Sequence, residues 1–464
     1  MVLVMIVNQE SSQERAELNG VLARFIQEGG SIGDELWWAH VQSIGMPYVI
    51  EINGEYAKVL FLWRGSKPSV AANQAIYVDI NGVTDHHSFS MAKFTHIDNT
   101  DVWFYIDSVK QSWRGGYSFI PVPEALVQPS YQGSYDAMRH QHRQWLRSIF
   151  PLSCADPLAQ NDLSKCEWGR AKTPCHMPKA LTQTEWLGFD SAQGQCFKSA
   201  DSTFTWRSTL LGTSREIWLY STAQRPTTEP LPLVLILDGR FWSQSMPVYE
   251  ALSQATHSGK LPAALYVLID EISAQQRSDD LSCNPLFWQA VMEELLPSIN
   301  ERVRVTRDAD QTVIVGQSLG GLAAMYAALH WPQRFGSVVC QSGSFWWPDF
   351  SIVKPPSEYC PPKSDSRLSK MSQEVHQGLG ANSRLALFLE VGSGEDIMID
   401  LSRDLYQQLA SQQHRIQFRL FDGGHDRLCW RGGIIYGLSF FLEPYFLFLA
   451  VERKILEKYT KPFS

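Results

Sequence analysis

A chain of 464 residues, 44% hydrophobic and 19% charged, has the composition of a globular protein and excludes a disordered or fibrous one. Its net charge of −8 argues against nucleic acid as a general partner but leaves room for a local basic pocket. No stretch reaches the ~20 apolar residues of a membrane span, and the eight cysteines (Cys154, Cys166, Cys175, Cys196, Cys283, Cys340, Cys360 and Cys429) lack metal-ligand spacing and read as reduced thiols of a cytoplasmic protein.

The first residues, MVLVMIVNQESSQER, begin apolar but lack a basic segment and a small-residue cleavage site, so they do not read as a signal peptide. Short β-type runs follow at Tyr48 to Ile52, Ala57 to Trp63, Ala75 to Ile80, Val102 to Ile106 and Tyr117 to Val122. Asn53-Gly54 and Asn81-Gly82 mark turns between them. Residues 1–150 therefore read as an antiparallel β-sandwich, with a helix available within Tyr131 to Ile149. His86 and His87 suggest a metal only superficially. Adjacent side chains on a strand face opposite ways, and a structural role is expected. Residues 151–200, rich in Pro, Cys and polar side chains without periodicity, read as a linker.

From residue 201 to 464 strands alternate with helices, the pattern of an α/β fold with a mostly parallel sheet. Strands are predicted at Phe204 to Leu210, Glu216 to Tyr220, Leu233 to Leu237, Ala264 to Ile269, Thr312 to Val315, Val338 to Gln341, Ala386 to Val391 and Ile416 to Phe421, the first two forming an antiparallel edge. Helices are predicted at Phe287 to Val303, Leu319 to His330, Ile397 to Gln412 and Gly432 to Leu442. Leu401, Leu405 and Leu409, four apart, mark a core stripe on the third. The apolar run Phe440 to Val451, broken by Glu443 and Pro444, reads as core packing.

The chemistry concentrates in TVIVGQSLGGLAAMYAALHWP, Thr312 to Pro332. A β-branched run enters Gly316-Gln317-Ser318-Leu319-Gly320 and an alanine-rich helix leaves it. That is a strand, a nucleophile elbow and a helix, with glycines making room for a serine raised above the sheet end. A serine hydroxyl needs a base, and the base an orienting acid. In this fold they follow in the order Ser, Asp or Glu, His. His425, in Asp422-Gly423-Gly424-His425-Asp426 after a predicted strand, is the candidate base. Glu395 is the candidate acid, with the adjacent Asp396 as the alternative. Asp400 lies one turn further on, and Asp422 and Asp426 sit too close to the histidine to reach around it. The oxyanion donors are the Leu319 backbone N–H and that of Gly239 or Arg240 in the loop after Leu233 to Leu237.

The carboxyl half resembles the enterochelin esterase family. The likeness runs through LDGRFWSQSMPV (Leu237 to Val248), YVLIDEI (Tyr266 to Ile272), CNPLFW (Cys283 to Trp288), VGQSLGGLAAMYAALHWPQRFG (Val315 to Gly336), QSGSFWWP (Gln341 to Pro348) and DGGHDRLCWRGG (Asp422 to Gly433). The amino half resembles that family's β-sandwich through GVTDHH (Gly82 to His87), TDVWFY (Thr100 to Tyr105) and WRGGYSFIP (Trp113 to Pro121). The resemblance implies an α/β-hydrolase fold, a Ser-Glu-His triad with Glu395 as the acid, and hydrolysis of the trilactone of a ferric catecholate siderophore. Iron(III) is then part of the substrate, and no metal or other cofactor is expected. The family often reads DGEFW where this chain has Arg240, which adds a positive charge. It carries a glutamate where this chain has Asp280.

A ferric tris-catecholate is a bulky trianion with aromatic rings, which calls for arginines and ring faces. Arg277, Arg427, Arg431, Trp242, Trp346, Trp347 and Trp430 adjoin the predicted catalytic loops. Trp113 and Arg114 of the amino half are further candidates, as a lid.

Overall fold

The computed structural model describes residues 20–26, 30–65, 75–160, 172–192, 195, 197–223, 230–349 and 369–442. The amino-terminal segment and the part of Phe440 to Val451 beyond residue 442 lie outside them. The chain divides into two units, Met1–Ile80 with Thr84–Ala180, and Asn81–Val83 with Leu181–Ser464.

The first unit holds β1 (Tyr48–Asn53), β2 (Tyr56–Arg64), β3 (Ala75–Ile80), β4 (Thr95–His96), β5 (Val102–Lys110), β6 (Arg114–Val122) and β7 (Thr173–His176). They form two antiparallel sheets, β1-β2-β5-β4 and β3-β6-β7. Gly54, at φ 59°, closes the β1–β2 hairpin where the Asn-Gly pair predicts a turn. The sheets meet through aromatic side chains. Phe61 of β2 packs edge-on against Tyr117 and Phe119 of β6, with centroids 5.1 and 6.5 Å away. The helix Tyr135–Ile149 is capped by Ser134 and buries Trp145 against Tyr77.

Residues 151–200 are not a free-standing linker. Cys154 exchanges backbone hydrogen bonds with Phe119 (3.0 and 2.8 Å), and β7 pairs with β6. The first unit thus extends to Ala180. Polar composition hid this because a four-residue strand draws its stability from a partner about sixty residues away.

The second unit holds β8 (Ser202–Ser208), β9 (Thr213–Ser221), β10 (Leu233–Ile236), β11 (Leu265–Ile269), β12 (Thr312–Gln317), β13 (Ser337–Gln341), β14 (Ala386–Gly392) and β15 (Arg415–Phe421). They form one sheet in the order β15-β14-β13-β12-β10-β11-β9-β8. β8 and β9 are the antiparallel edge, and β10 to β15 run parallel. The inner parallel strands are covered on both faces, so they read as unbroken apolar runs. This is an α/β-hydrolase fold. After β10 the chain moves to β11 on one side, and after β12 to β13 on the other. The carboxyl ends of β10 and β12 therefore flank a topological switch point, where open sheets place ligands.

The predicted helix Phe287 to Val303 is a composite. It begins at Pro285, capped by Asn284, widens to a π-turn over Val291–Leu295, and ends as Leu296–Arg302. Pro297 lacks the amide that would close a regular turn, so the widening falls where the hydrogen bond is missing. Short helices at Glu35–Ile44, Tyr249–His257, Ala274–Leu281 and Lys370–His376 were not evident from periodicity. Among the described residues no helix is long and apolar enough to cross a membrane.

Candidate active site

Ser318 leaves β12 at φ 57°, ψ −121°, a conformation that costs any L-residue energy and that the surrounding glycines make possible. A Cβ on Gly316 would come within 2.1 Å of the Gly320 carbonyl oxygen, and one on Gly321 within 3.0 Å of Cys340 Sγ. The strand and helix can approach this closely only without side chains there. The turn is anchored by Ser318 N–H donating to Gln341 O (3.0 Å) and by Ser344 N–H donating to Ser318 O (3.0 Å). The half-buried Ser318 Oγ lies 3.2 Å from Ser344 Oγ.

His425 and Glu395 are brought together from loops after β15 and β14. His425 Nδ1 sits 2.6 Å from Glu395 Oε2. The carboxylate is buried while the imidazole is 42% exposed, leaving one ring edge open to a reactant. Glu395 Oε1 accepts from Gly392 N–H (2.7 Å) and Ser342 Oγ–H (2.6 Å). The alternative acid Asp396 is exposed and stands at φ 41° before the helix Ile397–Ser411. Asp400 is exposed beside Arg403. Asp422 accepts from Ser393 Oγ, and Asp426 caps the helix Arg427–Leu442 through Leu428 N–H (2.7 Å). That cap starts the helix five residues before the predicted Gly432.

In this state Ser318 Oγ is hydrogen-bonded to Ser344 and not to His425. The segment Gln341–Ser344 nevertheless touches both Ser318 and the Glu395–His425 pair. Gln341 and Ser344 hold Ser318, and Ser342 holds Glu395. Catalytic hydrogen bonds often form or tighten only with substrate bound.

The Leu319 N–H is the first amide of the helix Leu319–His330 and has no intrahelical partner. Beside it runs the loop after β10. A Cβ on Gly320 would lie 3.5 Å from Leu237 Cβ and 3.6 Å from Asp238 Oδ2, while one on Gly239 would strike the Ile269 backbone. Arg240 N–H donates to Glu271 Oε2 across 3.3 Å. Burial first, then the negative charge of Asp238, pushes the Glu271 carboxyl above its ordinary value.

The predicted ligand-binding side chains separate into two groups. Arg277 is buried, ion-paired with Asp238 through Nε and Nη2, and donates to Gln317 O (3.3 Å). Burial would raise Asp238, but Arg277, helped by Arg427, outweighs it and holds the carboxylate below its usual range. Arg427 is buried with its guanidinium 3.7 Å from the Phe241 ring centroid. Arg431 is fully buried on Gln183 and, bidentately, Asp190. Trp242 donates to Gln317 Oε1 (3.0 Å) and Trp430 to Ser342 Oγ (2.9 Å), both buried. All five are buried against protein groups in this structure; an arginine or tryptophan looks alike in sequence whether its partner is a ligand or a neighbouring side chain. Trp346 and Trp347 stay half-exposed two and three residues beyond Ser344, and Arg240 is 47% exposed on Asp270 Oδ2 (2.8 Å). In the first unit Trp113 is buried, and Arg114 Nε lies 2.6 Å from His176 Nδ1. Asp280 pairs with Arg215 at 2.8 Å.

An Arg277→Ala protein leaves Asp238 a buried carboxylate without its main partner. Urea unfolding is expected to register a loss of about 3 kcal/mol.

Sequence reasoning missed Ser342, Ser344 and Asn81. Asn81, grouped with the second unit, donates from Nδ2 to the His425 carbonyl (3.0 Å). A Cβ on Gly424 would meet Asn81 Oδ1 at 2.1 Å, so that glycine is required. His86 and His87 lie in a turn, not a strand, with ring centroids 4.3 Å apart, so the opposite-faces argument does not apply. His86 Nδ1 instead pairs with Asp79 (3.1 Å). Among the described residues no group of three His, Cys, Asp or Glu side chains is placed to hold a metal.

Residues 208–441 match the family model described as putative esterase, and residues 58–186 the one described as enterochelin esterase, N-terminal. The iron(III) enterobactin esterase of Dickeya dadantii is 37% identical over 413 residues, 88% of this chain and 93% of that protein. The protein of the same description from Escherichia coli K12 is 37% identical over 422 residues, covering 89% and 98%. Among solved structures, the ferric enterobactin esterase of Salmonella typhimurium superposes with a TM-score of 0.77 at 36% identity, covering 89% of this chain and 99% of that one. The Shigella flexneri enterobactin esterase, solved in the presence of enterobactin, gives 0.73 at 35% identity over 88% and 98%.

Proposed function

Because the chain belongs to the enterochelin esterase family, we propose that it is a serine esterase whose Ser318, His425 and Glu395 open the trilactone of a ferric catecholate siderophore. The observation that carries the residue assignment is the 2.6 Å bond between His425 Nδ1 and buried Glu395, formed across thirty residues of sequence beside the Ser318 elbow.

Glu395 fixes the tautomer with the proton on Nδ1, so Nε2 is the basic nitrogen. Ser318 Oγ turns from Ser344 to Nε2, loses its proton there, and attacks the carbonyl carbon of a seryl ester. Negative charge then develops on the former carbonyl oxygen. Leu319 N–H and Arg240 N–H are donors for it. The Arg240 amide first exchanges Glu271 Oε2 for that oxygen, and the 3.3 Å resting bond is a weak one to give up. Collapse of the intermediate breaks the C–O bond, and His425 returns its proton to the leaving seryl hydroxyl. Water, activated by the same imidazole, then frees the acyl group from Ser318.

The partly exposed Trp346 and Trp347 are the rings that would meet catechols, and Arg240 brings a half-exposed positive charge to a trianion. Iron enters with the substrate. Cutting the ring leaves the catechol arms on a linear, more flexible chain, and further ester cleavages separate them, so their effective concentration around iron falls and the metal is held less tightly. The proposed setting is the cytoplasm, in keeping with Cys154, Cys175, Cys283 and Cys340 remaining thiols.

A chromatographic assay of the wild-type protein with ferric and iron-free macrocycle tests the reading. Linear catecholate-serine products are expected. Rapid cleavage of small aryl esters with both macrocycles left intact would instead identify a general carboxylesterase or acyltransferase of the same fold.

A further inference from the structure

Five residues just past the carboxyl ends of adjacent strands share an uncommon feature. Asp238 after β10, Ile272 after β11, Ser318 after β12, Ser342 after β13 and Asp396 after β14 have φ of 56°, 64°, 57°, 49° and 41°. This is a region where glycine is at ease and side chains are not. At Ser318 the strained residue carries the nucleophile. Strain maintained at a site asks what the side chain contributes in return.

At Ser342 the answer lies in its hydroxyl. The residue is fully buried, and its backbone N–H donates to Glu390 O (2.7 Å). Its Oγ is 2.9 Å from Trp430 Nε1 and 2.6 Å from Glu395 Oε1. An indole N–H can only donate, so it takes an Oγ lone pair, and the single hydroxyl proton goes to Glu395. With Gly392 N–H on the same oxygen, Oε1 holds two donors and Oε2 is left for His425. The carboxylate is pinned at both ends. Trp430 is itself fixed. Gln341 Nε2 donates to its carbonyl (2.9 Å), and its ring packs edge-on against His425 at 4.7 Å.

We propose that Ser342, oriented by Trp430, is a positioning residue that locks the Glu395 carboxylate in the rotamer that aligns His425. The inference rests on the triad reading given above. A glycine would suit the backbone at 342 better, so what the serine adds is its hydroxyl and not an easier turn.

The test compares Ser342→Gly, Trp430→Phe and the double variant with wild type and with Glu395→Gln, using the siderophore macrocycle as substrate. Ser342→Gly is expected to lower kcat between about tenfold and 10²-fold with KM little changed, as a loosened catalytic group does. Loss of a donor makes Glu395 a stronger base, which favours the imidazolium, so the acid limb of the kcat/KM profile moves to higher pH. Trp430→Phe keeps a ring against His425 but removes the N–H, and shifts both readouts the same way by less. The double variant removes the orphaned indole donor as well. It is expected to melt nearer to wild type than Ser342→Gly while remaining as slow. Wild-type kcat and an unmoved acid limb in Ser342→Gly would overturn the proposal, as would rate losses that simply follow melting temperature across the three. A Glu395→Gln protein of normal activity would instead sink the triad itself.

Discussion

A Ser318→Ala protein is expected to lose about 10⁵-fold or more in kcat on the siderophore macrocycle while still binding it. In serine triads removal of the nucleophile leaves only what the oxyanion donors and substrate binding supply, a residual ~10³- to 10⁴-fold over water. Here those remnants stay in place. The turn is held by backbone bonds from Ser318 N–H to Gln341 O and from Ser344 N–H to Ser318 O, which alanine preserves. Leu319 N–H remains at the helix start, and the half-exposed Trp346 and Trp347 do not depend on the missing hydroxyl. Single-turnover chromatography measures the first quantity, and quenching of tryptophan fluorescence by the ferric complex the second. Retention of more than a few per cent of wild-type kcat would mean that another group attacks the ester. Loss of quenching along with catalysis would mean that Ser318 contributes to binding and not only to chemistry.

The sequence-level signal for this site is uneven for physical reasons. The elbow is legible because each part is local: a β-branched strand, glycines that a close strand–helix approach demands, and a helix with apolar residues on every side because it is buried. The parallel strands are legible because burial on both faces writes continuous apolar runs. What escapes is pairing. Arg277, Arg431 and Trp430 have the right chemistry for an anionic aromatic ligand, yet the fold sets them on Asp238, on Asp190 and Gln183, and on Ser342. Those partners lie 39, 241 and 248, and 88 residues away. Nothing in local spacing encodes such distances. The same holds for β7 and for Asn81, whose side chain meets the His425 carbonyl 344 residues on. Ser342 and Ser344 sit in the readable segment QSGSFWWP, but a serine in a turn is commonplace, and only the φ of 49° and the buried hydroxyl single out the first.

Glu395→Gln and Asp396→Asn, side by side, separate two adjacent acids that spacing alone leaves open, and the first is expected to cost about 10⁴-fold in kcat. The size follows from proton accounting. Glu395 Oε1 already accepts Gly392 N–H and Ser342 O–H, so a glutamine must place its carbonyl oxygen there and turn its NH₂ towards His425. An NH₂ cannot accept the Nδ1 proton. The imidazole responds by moving that proton to Nε2, the nitrogen that must take the serine proton, and the base is lost. The corresponding change in a trypsin-type triad preserves geometry and lowers kcat by about this factor. The opposite glutamine orientation would set NH₂ against two donors, which is costlier still in a buried site. Asp396 is exposed, while His425 Nδ1 is bonded to Glu395, so the asparagine variant at 396 is expected to keep kcat within about a factor of three, a surface-scale effect. Steady-state kinetics from pH 6 to 9 on both proteins, with melting curves to show intact folds, decides the matter. Near-normal turnover by Glu395→Gln together with collapse of Asp396→Asn would exchange the two roles and require the His425 loop to pair differently when substrate is bound.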